Sequence, residues 1–109
     1  MTTALPLPVA NFFIAKNRFD LDGMLAPFAE NATVRDERRT QAGRAAIRAW
    51  MEDTTEQYHD TARLLDVAGE GDGVRVTARI SGDFPGSPVT LQFRFTVAAG
   101  QITSLAISS

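Results

Sequence analysis

Asp20-Leu21-Asp22-Gly23-Met24-Leu25-Ala26-Pro27-Phe28-Ala29-Glu30-Asn31-Ala32-Thr33-Val34-Arg35-Asp36 passes from a helical spacing of apolar residues to an alternating one. Asp20 can cap a short helix whose apolar face is Leu21, Met24, Leu25 and Phe28, with Pro27 better suited to its end than its middle. Ala32–Asp36 is short, partly β-branched and alternating, which predicts a strand. On a strand Val34 and Asp36 share one face, and Arg35 and Glu37 share the other. Val34 belongs in the core, so Asp36 is aimed inward as well. A carboxylate in that position either pairs with a cation or sits in a cavity with work to do. If the strand has already ended, Asp36 instead bridges Arg38 or Arg39 at the surface.

Upstream, Pro8 suits the first turn of a helix, where its missing N–H costs nothing. Val9, Phe12, Phe13 and the stem of Lys16 recur at helical spacing, which predicts a first helix near 8–17. Downstream, Ala46, Ile47, Trp50, Met51 and Thr54 form one stripe of a helix from Gly43 to about Gln57, with Arg44, Arg48, Glu52 and Asp53 outside it. After Tyr58 the period becomes two. A strand over 59–69 leads into a turn at Gly69-Glu70-Gly71-Asp72-Gly73. Val74, Val76, Ala78 and Ile80 then alternate with Arg75, Thr77, Arg79 and Ser81. A further turn at Phe84–Pro88 precedes Leu91, Phe93, Phe95 and Val97, and Ala99-Gly100-Gln101 leads into Ile102–Ile107. Three helices, one early strand and a four-strand meander make an α+β domain.

Composition removes many functions. The chain has 109 residues and 44% hydrophobic content, so it reads as one domain, 1–109, with room for one core and one pocket. Its 11 basic and 13 acidic residues give a net charge of −2 with no basic block, which argues against nucleic acid as a partner. The absence of cysteine removes disulfides, thiolate nucleophiles, iron–sulfur clusters and cysteine-ligated zinc. His59 is the single histidine, too little for most imidazole metal sites; it reads as a partly exposed residue at a strand start. No cofactor or metal is expected. The N-terminus shows no signal peptide and no apolar run is long enough to span a bilayer, so a cytoplasmic, membrane-free protein is expected. The glycines at 69, 71 and 73 join two strands, which is not the setting of a phosphate-binding loop.

Phe12, Phe13, Phe28, Trp50, Tyr58, Phe93 and Phe95 supply the aromatic part of the interior, and aromatics at such spacing are more often core than binding site. Tyr58 stands out because a buried phenol needs a hydrogen-bond partner.

The Asp20–Asp36 stretch, followed by Gly43-Arg44-Ala45-Ala46-Ile47-Arg48-Ala49-Trp50, resembles the nuclear transport factor 2-like superfamily, nearest its SnoaL-like and ketosteroid-isomerase-like branch. Phe93-Arg94-Phe95 and Gly100-Gln101-Ile102 are similar to the family's closing hairpin. The resemblance runs from about Val9 to Ile107. It implies a cone-shaped, cystatin-like fold: three N-terminal helices packed on a curved antiparallel sheet, a pocket inside, and frequent homodimers. It places Asp36 where ketosteroid isomerases keep their catalytic aspartate base. The two oxyanion donors of those enzymes do not carry over, since Phe12 and Leu91 stand in their places.

Two readings of function follow, from different classes. In the first, the domain binds a small apolar molecule in a pocket walled by Phe12, Val34, Trp50, Phe93 and Phe95, without chemistry. In the second it is an isomerase, cyclase or hydrolase, with Asp36 as general base and Tyr58 as candidate donor. A third use, as an interaction module on the outer sheet face, leaves the interior as plain core.

Overall fold

A computed structural model describes residues 4–37 and 39–109. Arg38, one of the two surface cations considered for Asp36, lies outside the described residues, as do residues 1–3. Helix α1 spans Leu7–Asn17, and α2 spans Leu21–Leu25. Strand β1 runs Phe28–Asp36, β2 runs Arg39–Ala42, and helix α3 runs Arg44–Tyr58. The strands β3 (Thr61–Glu70), β4 (Gly73–Ser81), β5 (Val89–Ala98) and β6 (Gln101–Ser108) complete the chain. Among the described residues these are three helices and one six-stranded sheet of order β2-β1-β6-β5-β4-β3.

The α+β arrangement is therefore present, with three differences from the sequence expectation. The second helix is only five residues long, and Phe28 opens β1 instead of closing the helical face. Pro27 has no N–H to continue the helix. Its carbonyl instead accepts from Ile102 N at 2.9 Å, which starts the chain along the sheet. Asp20 caps this helix through Gly23 N at 3.0 Å.

Second, β2 has no counterpart in the sequence reading. Arg39-Thr40-Gln41-Ala42 lies at the sheet edge with no buried residue, so it carries no apolar alternation to reveal it. Third, the sheet is not antiparallel throughout. The β3–β6 meander is antiparallel, but β1 pairs with β6 in parallel, with Val34 opposite Leu105 and Asp36 opposite Ile107. The chain leaves β1 through a hairpin, crosses by α3, and returns by the meander, which brings β6 alongside β1 in the same direction.

Register shifts in β1, β3 and β5–β6 blur the two-residue period that the sequence displays only in part. The helices pack on one sheet face. Val9, Phe12, Phe28, Val34, Ile47, Met51, Val76, Ile102 and Leu105 are the largest side chains closed from solvent. Phe12 lies edge-on to Phe13, Phe28 and Phe95, at centroid separations of 5.1, 5.8 and 5.7 Å. Such edge-to-face contacts add to the area burial of each ring. No helix among the described residues is long and apolar enough to cross a membrane.

Candidate functional site

A cavity of about 900 Å³ opens between α1, α3 and one end of the sheet. Its size suits one small organic molecule. Residues four apart on a helix share a face, and two helices supply much of the wall in this way. Phe12 and Lys16 reach it from α1, and Trp50, Thr54 and Tyr58 from α3. Met24, Ile80, Phe93 and Ile107 give it an apolar floor, with Phe84, Val89 and Leu91 at the side.

Asp36 enters at the end of β1. Val34 is fully buried and Asp36, two residues on along the same face, is partly exposed where the strand runs into the cavity. Trp50 Nε1 donates to Asp36 Oδ2 at 3.3 Å, the long end of a hydrogen bond. Asp36 and Arg39 are opposed in the β1–β2 ladder, yet among the described residues Asp36 makes no ion pair. Half-burial raises the Asp36 carboxyl above its ordinary value of 3.8. The Trp50 N–H opposes that rise, the charges of Glu37 and Asp60 add to it, and the Lys16 charge pulls it back. The result is a carboxyl held above its ordinary value at the edge of a mainly apolar cavity.

The second charged group here is a pair. Lys16 Nζ lies 2.8 Å from Asp60 Oδ2, with side-chain exposures of 10% and 15%. Lys16 was visible in the sequence only as an apolar stem on the first helix, and Asp60 not at all. Their pairing joins residues 44 apart, beyond the reach of periodicity.

The end of α3 is fixed by its exit. His59 takes a left-handed conformation, φ 46°, and its N–H returns to Thr55 O. Its ring meets Phe19 edge-on at 5.2 Å, away from the cavity. Asp83 N donates to Tyr58 O at 2.7 Å. A β-carbon on Gly82 would stand 2.6 Å from that carbonyl, so only glycine permits this approach. Tyr58 is thereby held at the cavity wall with its ring edge-on to Phe84, at 5.8 Å.

Of the residues proposed from sequence, the cavity brings together Asp36, Tyr58, Phe12, Trp50 and Phe93. Val34 and Phe95 lie in the closed core behind it, 0% and 3% exposed. Phe12 and Leu91, which the resemblance implies stand at the donor positions of ketosteroid isomerases, are both in the wall and offer it no side-chain N–H or O–H. Among the described residues no three His, Asp or Glu converge as a metal set. A shallower hollow of about 430 Å³ lies outside α1; its one carboxylate, Asp20, is engaged in capping α2.

Comparison with known proteins fits this geometry. The SnoaL-like domain pattern matches residues 9–105. No curated protein sequence matches the chain. Among solved structures, a "putative polyketide cyclase" from Sinorhizobium meliloti is 38% identical, with TM-score 0.91 over 95% of each chain. A protein of ketosteroid isomerase-like fold from Catenulispora acidiphila, solved with trimethylamine, is 20% identical, with TM-score 0.84 over 97% of this chain and 87% of that one. SalBIII, an epoxide hydrolase/cyclase-like enzyme in pyran ring formation in the polyether salinomycin, is 23% identical, with TM-score 0.79 over 92% of this chain and 85% of that one. The last two likenesses are of fold alone. The chain belongs to the SnoaL-like domain family, and it shares its fold with structures described as NTF2-like and as ketosteroid isomerase-like.

Proposed function

We propose that the cavity takes one small, mainly apolar oxygenated molecule, and that Asp36 exchanges a proton with it in a cyclase- or isomerase-type reaction. The observation that carries this is the setting of Asp36: a half-buried carboxyl at the end of β1, its pKa raised by burial, opening into an apolar chamber. A general base with a raised pKa works nearer neutral pH and keeps more driving force for proton removal. The 38% identity to the Sinorhizobium meliloti protein supports the same class. Tyr58 is a proposed donor from the α3 side. In the same proposal the helices and sheet close on the ligand as a cone, and two copies of the chain form a homodimer.

A second reading, binding without turnover, is favoured by one feature. Phe12 and Leu91, both in the wall, are apolar at the two positions where the resemblance implies the donors of ketosteroid isomerases. One missing oxyanion donor commonly costs about 10²–10³ in rate. The two readings share a ligand and differ in chemistry.

A thermal-shift panel of small carbonyl compounds, epoxides and steroids tests both, run on wild type and Asp36→Asn together. A ligand at about 100 times its Kd adds about 2.7 kcal/mol to stability, several degrees for a domain of this size. Hits turned over by wild type and only bound by Asp36→Asn support catalysis. Hits left unchanged by both proteins support binding alone. Silence across the panel counts against both.

A further inference from the structure

Lys16 is a lysine where the sequence offers an apolar helix face. It stands four residues after Phe12 and its ammonium is buried in the cavity wall against Asp60. Burying two charges is expensive, and an apolar pair of similar volume serves stability as well or better. Nor is the pair needed to tie α1 to β3. The neighbouring Asn17 already does that, donating Nδ2 to Ala62 O at 2.9 Å and accepting from Ala62 N at 2.7 Å. An ammonium has three N–H groups, and Asp60 takes one of them at 2.8 Å.

Two other polar groups of the wall are committed, and the Tyr58 hydroxyl, the neutral donor proposed above from the α3 side, carries no charge to set against an oxyanion. The Trp50 N–H is given to Asp36, and the Thr54 hydroxyl is given to the Trp50 and Met51 carbonyls. The site thus has a carboxyl on one side, a fixed cation within its field on another, and no oxyanion donor at Phe12 or Leu91.

Resting on the reading of Asp36 as the base in a cyclase- or isomerase-type reaction, we infer that Lys16 is the electrophile of this site, the group that receives the negative charge developing on a substrate carbonyl oxygen. That oxygen faces the Lys16 ammonium, which Asp60 holds in place, while a C–H adjacent to the carbonyl faces Asp36. The Asp36 carboxylate takes the α-proton. The C–H electron pair forms the carbon–carbon double bond, and the carbonyl π pair moves to the oxygen, whose negative charge the Lys16 N–H groups receive. The enolate then collapses in one of two ways. It regains the Asp36 proton at a different carbon, which is isomerisation. Or its carbon attacks a second carbonyl of the same molecule, and the resulting alkoxide takes that proton, which is ring closure. Neither course needs an oxidant or a second substrate. A charge-assisted hydrogen bond in a water-poor cavity does the work of the absent neutral donors.

The test uses 4-nitrophenol, whose coloured anion presents a phenolate oxygen that shares its charge with the ring and nitro group, as an enolate oxygen shares its charge with carbon, and reads binding in place of turnover. It is titrated into Asp36→Asn, which imitates the protonated base and removes the competing charge. The expected result is preferential binding of the phenolate, seen as a lowered pKa of the bound probe. Lys16→Met alone would strand the Asp60 carboxylate, so the comparison protein is Asp36→Asn/Lys16→Met/Asp60→Asn, which removes the pair together. It should lose phenolate affinity by about tenfold or more, the size of one hydrogen bond to a charged group, and keep affinity for the neutral phenol. Equal phenolate binding by the two proteins overturns the inference, as does a failure of Asp36→Asn to prefer the anion. Because no step of this measurement uses Asp36 as a base, a failure of the base reading shows separately, as wild type that exchanges no substrate proton.

Discussion

The Trp50 indole N–H points at the Asp36 carboxylate, 3.3 Å away, and joins the second turn of α3 to the end of β1. Among the described residues this bond is the one direct contact that stabilises the charged form of Asp36, set among influences that mostly favour the neutral one. Removing it with the ring retained, in Trp50→Phe, should raise the Asp36 pKa further. The acid limb of the kcat/KM profile should move to higher pH, a modest change in keeping with the length of the bond. A limb that stays in place, or moves down, would mean that the indole does not govern this carboxyl.

Asp36 should also leave its mark on stability. A carboxyl whose folded pKa exceeds its unfolded value binds more protons when folded, so it costs stability as pH climbs through that interval. Asp36→Asn should therefore match or exceed wild type at neutral pH, by no more than about 1 kcal/mol because the group is half-exposed to water. The difference should shrink as pH falls towards 3.8, the ordinary aspartate value. Urea denaturation of both proteins across pH reads this directly. A loss above about 3 kcal/mol would instead mark Asp36 as half of a structural ion pair.

Phe12 has two roles that one substitution exposes together. It is 1% exposed and lies edge-on to three other phenylalanines, yet it also forms part of the cavity wall. Phe12→Ala should cost about 3–5 kcal/mol by denaturation. Trp50→Ala should cost less, about 1–3 kcal/mol, because Trp50 is only partly buried and already borders open space. Equal losses would contradict this division between core and wall.

Asn17 tests the tether between α1 and β3. Its amide exchanges two hydrogen bonds with the Ala62 backbone, so Asn17→Ala should cost about 1–3 kcal/mol through an unsatisfied backbone group. It should leave phenolate binding in the Asp36→Asn background unchanged. A parallel loss of that binding would show that Lys16 relies on Asn17 for its position.

The sequence makes some of this legible and hides the rest for physical reasons. The α3 stripe is readable because Ile47 and Met51 fall on one helical face, with Trp50 and Thr54 beside them turned to the cavity. The Gly69–Gly73 turn is readable because Gly73 must have no side chain: a β-carbon there would overlap Phe95 O. Alternation from Val34 gives the direction of Asp36, but it cannot give depth. Val34 and Phe95 share faces with cavity residues and still lie behind the cavity in closed packing. Strand β2 escapes notice because an exposed edge strand needs no apolar pattern. The Lys16–Asp60 pair escapes because a lysine on an apolar stripe reads as a buried stem with a solvated head, and its partner lies far along the chain.

Exchange of α-protons in heavy water tests the central claim most directly. A ketone chosen from the thermal-shift hits is incubated with wild type or Asp36→Asn, and loss of the α-proton signal is followed by NMR. The account predicts exchange catalysed by wild type and reduced at least about a hundredfold in Asp36→Asn, the scale of a positioned general base, with binding retained. Equal exchange by the two proteins, or none by wild type with the ketone bound, would contradict it.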